Sequence, residues 1–117
     1  MNQDGKASEE RAVDFLLGHG HKILERNFSC RYGEIDIISY DGAVVFSEVK
    51  MRSSNSYGGA SAAVTQTKQQ KILKTARLYL QQNPEQALHA CRFDVIAIEQ
   101  GLRGLTFTWI KSAFIDS

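Results

Sequence analysis

The sequence predicts an α/β fold in which helix, three strands, helix and strand follow one another, with helices covering both faces of a mixed central sheet. Two stretches carry apolar residues at helical spacing, near residues 5–17 and 63–82. Between them, residues 33–50 read as two strands around an Asp41-Gly42 turn, and both faces of that hairpin are apolar. Such a hairpin belongs in the middle of a sheet, with a covering layer on each side.

A chain of 117 residues has the size of one domain, 1–117. At that length roughly two thirds of the unfolded surface is buried in a single core. Its 14 Lys and Arg against 13 Asp and Glu leave a formal charge of +1, so an anionic partner must be met by a local patch. Cys30 and Cys91 form no Cys-x-x-Cys pair, which argues against thiolate metal and dithiol redox motifs and leaves two reduced thiols. The first residues show no basic-then-apolar leader pattern, and no run of about 18 apolar residues is present. The expectation is a soluble, cytoplasmic protein with no membrane partner.

In the first helix Ala12, Val13, Leu16 and Leu17 form the apolar stripe, Phe15 flanks it, and Gly18 and Gly20 stop it. At about 100° per residue, Glu9 falls within the stripe and faces the protein body. Glu10 lies at the edge and Asp14 outside. The helix dipole alone also favours a carboxylate at this end. Residues 21–28 form a shorter first strand, followed by a polar link. His19, His21 and His89 lack ligand-like spacing and read as exposed or structural.

Among the Ile, Val and Phe residues of the hairpin sit Glu34, Asp36, Glu48 and Lys50. Unpaired charge taken out of water is costly or neutralises through a pKa shift, so something must offset it. The two-residue period of side chains decides whether these groups meet. A two-residue turn points Asp36 and Glu48 to opposite faces. A three-residue loop, Tyr40-Asp41-Gly42, with Gly42 left-handed, brings Glu34, Asp36, Glu48 and Lys50 to one face. That register sets Glu34 opposite Glu48 and Asp36 diagonal to it. Ile38, Val44 and Phe46 share the charged face, and Ile35, Ile37, Val45 and Val49 the other.

The polar, glycine-rich stretch 51–62 is a loop long enough to be functional. Its Arg52, Ser53, Ser54 and Asn55 are candidate phosphate contacts, and a plain solvated loop fits equally. In the second helix Ile72, Leu73, Ala76, Tyr79 and Leu80 form the buried stripe, and Asn83-Pro84 ends it. Gln69 lies on the stripe and Lys68 at its edge. Lys71, Lys74 and Arg77 point outward, as a solvated face or as the local basic patch. Residues 91–98 and 105–114 supply two more strands, and Asp94 within the first pairs with Arg92 or another basic residue.

Carboxylates and a lysine on adjacent strands suit Mg²⁺ or Mn²⁺, which take oxygen ligands, keep waters, and are held by one or two carboxylates together with substrate phosphate. Such an ion polarises phosphorus and acidifies a water, which a nearby lysine can orient. That is the chemistry of phosphodiester hydrolysis.

Asp36, followed by Glu48-Val49-Lys50 on the next strand, resembles the Asp…Glu-x-Lys signature of the PD-(D/E)xK nuclease superfamily. The element order is similar to its restriction-endonuclease-like αβββαβ core. The proline of that name is missing, since Glu34-Ile35 precedes Asp36. Glu9 resembles the extra acidic residue of the archaeal Holliday junction resolvase branch. Over nearly the whole chain, Glu9-x-x-Ala12-x-x-Phe15-Leu16, Asn27, Gly33-Glu34-Ile35-Asp36, the stretch 45–52, Lys68 and Arg92-Phe93-Asp94-Val95 resemble the YraN family of small bacterial proteins. Ser47 stands where that family often has Val.

The resemblance implies that Asp36 and Glu48 hold metal, with the Val49 carbonyl as a further ligand and Glu9 binding directly or through water. It implies that Lys50 acts on the attacking water, that Glu34 is auxiliary, and that Arg52, Lys68 and Gln69 contact nucleic acid. It also implies a DNA substrate of branched or junction type and a homodimer. Two other readings stand beside this one. The chain is a binding module that keeps a nuclease scaffold without cutting, or the charged residues form an internal ion-pair network around Lys50.

Overall fold

The computed structural model describes the backbone of residues 3–53 and 64–115 and the side chains of 7–51 and 64–115. The elements are α1 (Gln3–Gly18), β1 (Lys22–Cys30), β2 (Gly33–Tyr40), β3 (Val44–Ser53), α2 (Gln66–Gln82), a 3-10 turn (Gln86–Leu88), β4 (Cys91–Gly101) and β5 (Gly104–Phe114). The five strands form one sheet in the order β1-β2-β3-β4-β5. Neighbours are antiparallel except β3 and β4, which run parallel because α2 carries the chain back between them. This is the mixed α/β arrangement the sequence predicts, with β5 added at the far edge. Among the described residues no helix is long and apolar enough to cross a membrane.

The helices cover opposite faces. Ala12, Val13 and Leu16 of α1 pack with Ile37, Ile96 and Ile98, and Phe15, Val49, Phe107 and Trp109 close around them. On the other side Ile72, Leu73, Ala76 and Tyr79 of α2 pack on Ile35, Ile38, Val44, Phe46 and Phe93. The second helix begins later than its apolar period suggests, at Gln66, because the Thr65 side chain accepts the Lys68 N–H and caps it there.

Two features of the hairpin depart from simple alternation. The loop has three residues, as required to bring Asp36 and Glu48 together, but they are Asp41-Gly42-Ala43, since Tyr40 pairs with Val44. Asp41 Oδ1 accepts the Ala43 N–H at 3.2 Å, an Asx-type closure that sets the loop one residue later than expected. Gly42 takes φ +108, as a bulged loop requires. The register therefore slides by two residues relative to the expectation that Glu34 faces Glu48.

The second departure corrects the assignment of Ile35 and Ile37 to a common face. Ile35 belongs to the α2 cluster and Ile37 to the α1 cluster. On the neighbouring strand, Arg26 reaches Glu10 of α1, whereas Phe28 stacks edge-on against Tyr79 of α2. Between Arg26 and Phe28 lies Asn27, at φ 53. A left-handed residue inside a strand reverses the sense in which the next side chain points, and Asn tolerates that conformation better than most residues. Asn27 lies across from Asp36, between the Arg26–Ile37 and Phe28–Ile35 pairs. The local break in alternation thus falls beside the acidic residue.

Candidate active site at the fork of the sheet

The ladder between β2 and β3 ends at Ile37–Ser47, although β2 goes on pairing with β1 to Gly33 and β3 with β4 to Ser53. The sheet forks there. One step into the fork come Asp36 and Glu48, the next positions of the same register, close enough for Glu48 to act on Asp36. Asp36 Oδ2 accepts the Val49 N–H at 2.8 Å, so a carboxylate takes a backbone donor in the mouth of the fork.

Both acids are buried, Asp36 to 7% exposure and Glu48 to 9%. Burial, and then the neighbouring Glu48, push the Asp36 carboxyl up from an ordinary value near 3.8 to about 7; the Val49 N–H opposes this, and Glu9 and Glu34 add to it. Burial likewise raises Glu48, against the opposing charges of Lys68 and Lys50. Lys68 Nζ stands 3.8 Å from Glu48 Oε1, while Glu48 Oε2 is buried without a hydrogen-bond partner. A buried, unsatisfied acceptor beside a second carboxyl that resists ionisation is a deficit of positive charge.

The remaining predicted residues are placed as follows. Glu9 is buried on α1, 6% exposed, and acts on Asp36 through its charge. Glu34 is exposed at the start of β2, and Lys50 is half-buried on β3. Val49 packs its side chain on the α1 cluster. Gln69 is turned to its own helix start, donating to the Val64 carbonyl at 3.1 Å. The Arg52 side chain and the phosphate contacts expected at 53–55 lie outside the described side chains. The fork therefore joins Asp36, Glu48 and Lys68, with Lys50, Glu9 and Glu34 within electrostatic reach. The pairing of Lys68 with Glu48 is not visible in the sequence beyond the position of Lys68 at the edge of the α2 stripe.

A second polar centre joins the hairpin loop to β4, where Asp94 lies beside Ser47. Asp94, 1% exposed, accepts from Arg92 Nε at 3.1 Å, Trp109 Nε1 at 2.8 Å and the Ser112 N–H at 3.0 Å. Arg92 also grips Asp41 through both terminal nitrogens, at 3.3 and 3.1 Å. Asp41 in turn stands 3.3 Å from His21 Nε2, and His21 Nδ1 is hydrogen-bonded to Ser39 Oγ at 2.9 Å. Burial, opposed by Asp41, lowers the His21 pKa and favours its neutral ring. Ser39, His21 and Asp41 thus line up as serine, histidine and acid, but Ser39 is fully buried and His21 is 4% exposed, so no substrate reaches them. The centre is structural.

A five-stranded mixed sheet between two helices, forked beside a buried acidic pair, makes this a mixed α/β fold compatible with a restriction-endonuclease-like core. The sequence model of the uncharacterised protein family UPF0102 matches residues 8–98, and the chain belongs to that family, the YraN family. It is 44% identical over 111 residues to a UPF0102 protein of Stutzerimonas stutzeri, covering 94% of this chain and 92% of that one. A UPF0102 protein of Alcanivorax borkumensis is 44% identical over 112 residues, covering 94% and 90% of the two chains. One of Pseudomonas savastanoi is 45% identical over 114 residues, covering 96% and 93%.

Proposed function

We propose that this protein is a divalent-metal-dependent endonuclease that hydrolyses DNA phosphodiester bonds. The observation that carries the reading is the Asp36–Glu48 pair, two buried acids set together where the sheet forks, one with an unsatisfied oxygen. Among the described residues no three of His, Cys, Asp and Glu stand close enough to cage an ion. A pair of carboxylates suits Mg²⁺ or Mn²⁺, which leave their other positions to water and substrate phosphate, with Glu9 binding directly or through water. Asp36 and Glu48 would hold the ion, with the Val49 carbonyl beside them, and when bound it supplies Lewis acidity at phosphorus.

The chain's own residues supply the rest. Glu9 and Glu34 add negative charge that favours a cation at the pair. Lys50, two residues beyond Glu48, orients the attacking water and stabilises charge developing on the phosphate. Lys68 is within reach of Glu48 and would contact the substrate phosphate. Branched or junction DNA as substrate, a homodimeric assembly and a cytoplasmic setting rest on the resolvase resemblance and the composition.

The test is purified protein with Mn²⁺ or Mg²⁺ against linear, flapped, single-stranded and four-way-junction DNA, beside Asp36→Ala, Glu48→Ala and Lys50→Ala. Metal-dependent cleavage that falls by at least about 10²-fold in each variant is expected. Undiminished cleavage by Asp36→Ala sinks the site. One observation favours the non-cutting module: Lys68 already supplies a cation to Glu48. On that reading DNA binding is salt-sensitive, survives Asp36→Ala, and is accompanied by no cleavage on any substrate.

A further inference from the structure

A second basic feature lies away from the fork, where the turn between β1 and β2 meets the outer side of α2. A cleft of about 560 Å³ opens there, lined by Cys30, Arg31, Tyr32, Lys74, Arg77, Leu78 and Gln81. Three of these side chains are cationic and none is acidic. In a chain whose formal charge is only +1, that is a local concentration of positive charge. Tyr32 stands among the cations: Arg31 Cζ lies 4.9 Å and Lys74 Nζ 5.8 Å from its ring centroid, and Arg31 Nη2 donates to its hydroxyl at 2.8 Å.

The cleft is held in shape by the fold. Gly33, at φ +146, takes a backbone conformation that L side chains rarely adopt and sets the turn against Lys71 and Thr75 of α2. Cys30 Sγ meets Thr75 Oγ1 at 3.5 Å from the same turn. Burial raises the Cys30 thiol pKa, but Thr75, the Tyr32 and Gly33 backbone and Arg31 outweigh it and hold the thiol below its ordinary value.

Lys68 at the fork and Lys74 in the cleft are six residues apart on one helix, about 9 Å of rise. Tyr32 precedes Asp36 by four residues, about 13 Å of extended strand. At about 3.4 Å of duplex axis per nucleotide, that interval is at most about four nucleotides. Lys71 lies between on α2. Cations of α2 are thus spread along the helix from the fork to the cleft.

We infer that the cleft of Arg31, Tyr32, Lys74 and Arg77 is a second phosphodiester-binding site, which seats a nucleic-acid strand flanking the Asp36–Glu48 fork. The spacing to a scissile phosphate rests on the nuclease reading; the binding site itself does not. The site holds the flanking strand by charge, and Tyr32 gathers Arg31 and Lys74 around one ring.

The experiment measures binding of a short labelled oligonucleotide, duplex and single-stranded, by anisotropy across a salt series in EDTA, where no cleavage occurs. Arg31→Ala with Lys74→Ala is compared with a matched loss of two exposed cations elsewhere, Lys22→Ala with Arg103→Ala. The cleft variant is expected to bind at least about tenfold more weakly, with a salt slope shallower by about one to two, while the control stays within about twofold of the parent. Equal losses in the two variants, or no binding by the parent protein, overturn the site. So does displacement of the oligonucleotide by inorganic phosphate as effectively as by unlabelled DNA. Circular dichroism and the melting midpoint of each variant establish that it is folded. Because binding is read without metal, a chain that binds through the cleft but cuts nothing refutes the nuclease reading alone.

Discussion

Two buried acidic centres beside the β2–β3 hairpin stand in opposite circumstances. On β4, next to Ser47, Asp94 accepts from Arg92, Trp109 and Ser112, and Arg92 is shared with Asp41 of the hairpin loop. At the fork, Asp36 has the Val49 N–H, and Glu48 has a lysine at 3.8 Å and one orphaned oxygen. The acids are comparably buried, so burial alone does not separate them. What separates them is the supply of donors. A buried charge that is fully hydrogen-bonded behaves as part of the architecture, whereas one that is left short of positive charge marks a place where something from outside is to bind.

The largest expected effect breaks the first half of that contrast. Asp94→Ala leaves the Arg92 guanidinium and the Trp109 and Ser112 N–H groups facing a void, and should destabilise the protein by about 3–5 kcal/mol in urea titration. A loss under about 1 kcal/mol would show the centre to be dispensable.

At the fork the expected sign is reversed. The folded state holds a proton on Asp36 up to about pH 7, well above its ordinary value near 3.8, so it binds more protons than the unfolded chain between those limits. Stability contributed there is complete at low pH and is lost as pH rises through about 7. Metal-free protein should therefore melt lower at pH 8 than at pH 5, and Mn²⁺ should reverse the loss by binding the folded state. Asp36→Asn keeps an acceptor for the Val49 N–H without the charge, and should raise metal-free stability at pH 8 by about 1–2 kcal/mol while removing the Mn²⁺ effect. A melting midpoint that climbs from pH 5 to pH 8 without metal would contradict the charge deficit at the fork.

The smallest effect sharpens the comparison, because it concerns the backbone beside the acids. Asn27→Val places a β-branched residue at φ 53 and should cost about 1–2 kcal/mol, whereas Asn27→Gly should stay within about 0.5 kcal/mol of the parent. Similar losses in both variants would move the importance of Asn27 from its backbone to its side chain.

Much of the fold is legible in the sequence because it follows from local periodicity. The stripe of Ala12, Val13 and Leu16, the stop at Asn83-Pro84 and the two-sided apolar hairpin specify helices on both faces of a sheet. The parity argument also carries through: Asp36 and Glu48 meet only across an odd loop, and the loop has three residues. The burial of Glu9 is likewise readable from its place on the α1 stripe. Asn27 could have been singled out as a residue tolerant of the left-handed region within a strand, but alternation hides the flip of Ile35 that accompanies it.

What the sequence by itself determined, then, is which residues are apolar, in what period, and which acids interrupt them, since those depend on neighbours along the chain. Only the tertiary structure decided which acids are short of partners. The Asp41 side chain closed the loop one residue late and set Asp36 opposite Glu48 rather than Glu34. The divergence of β2 from β3 opened the fork, and α2 brought Lys68 to Glu48 from twenty residues further along the chain. A charge acquires its meaning from the donors packed around it, and those donors come from segments whose meeting no local pattern records.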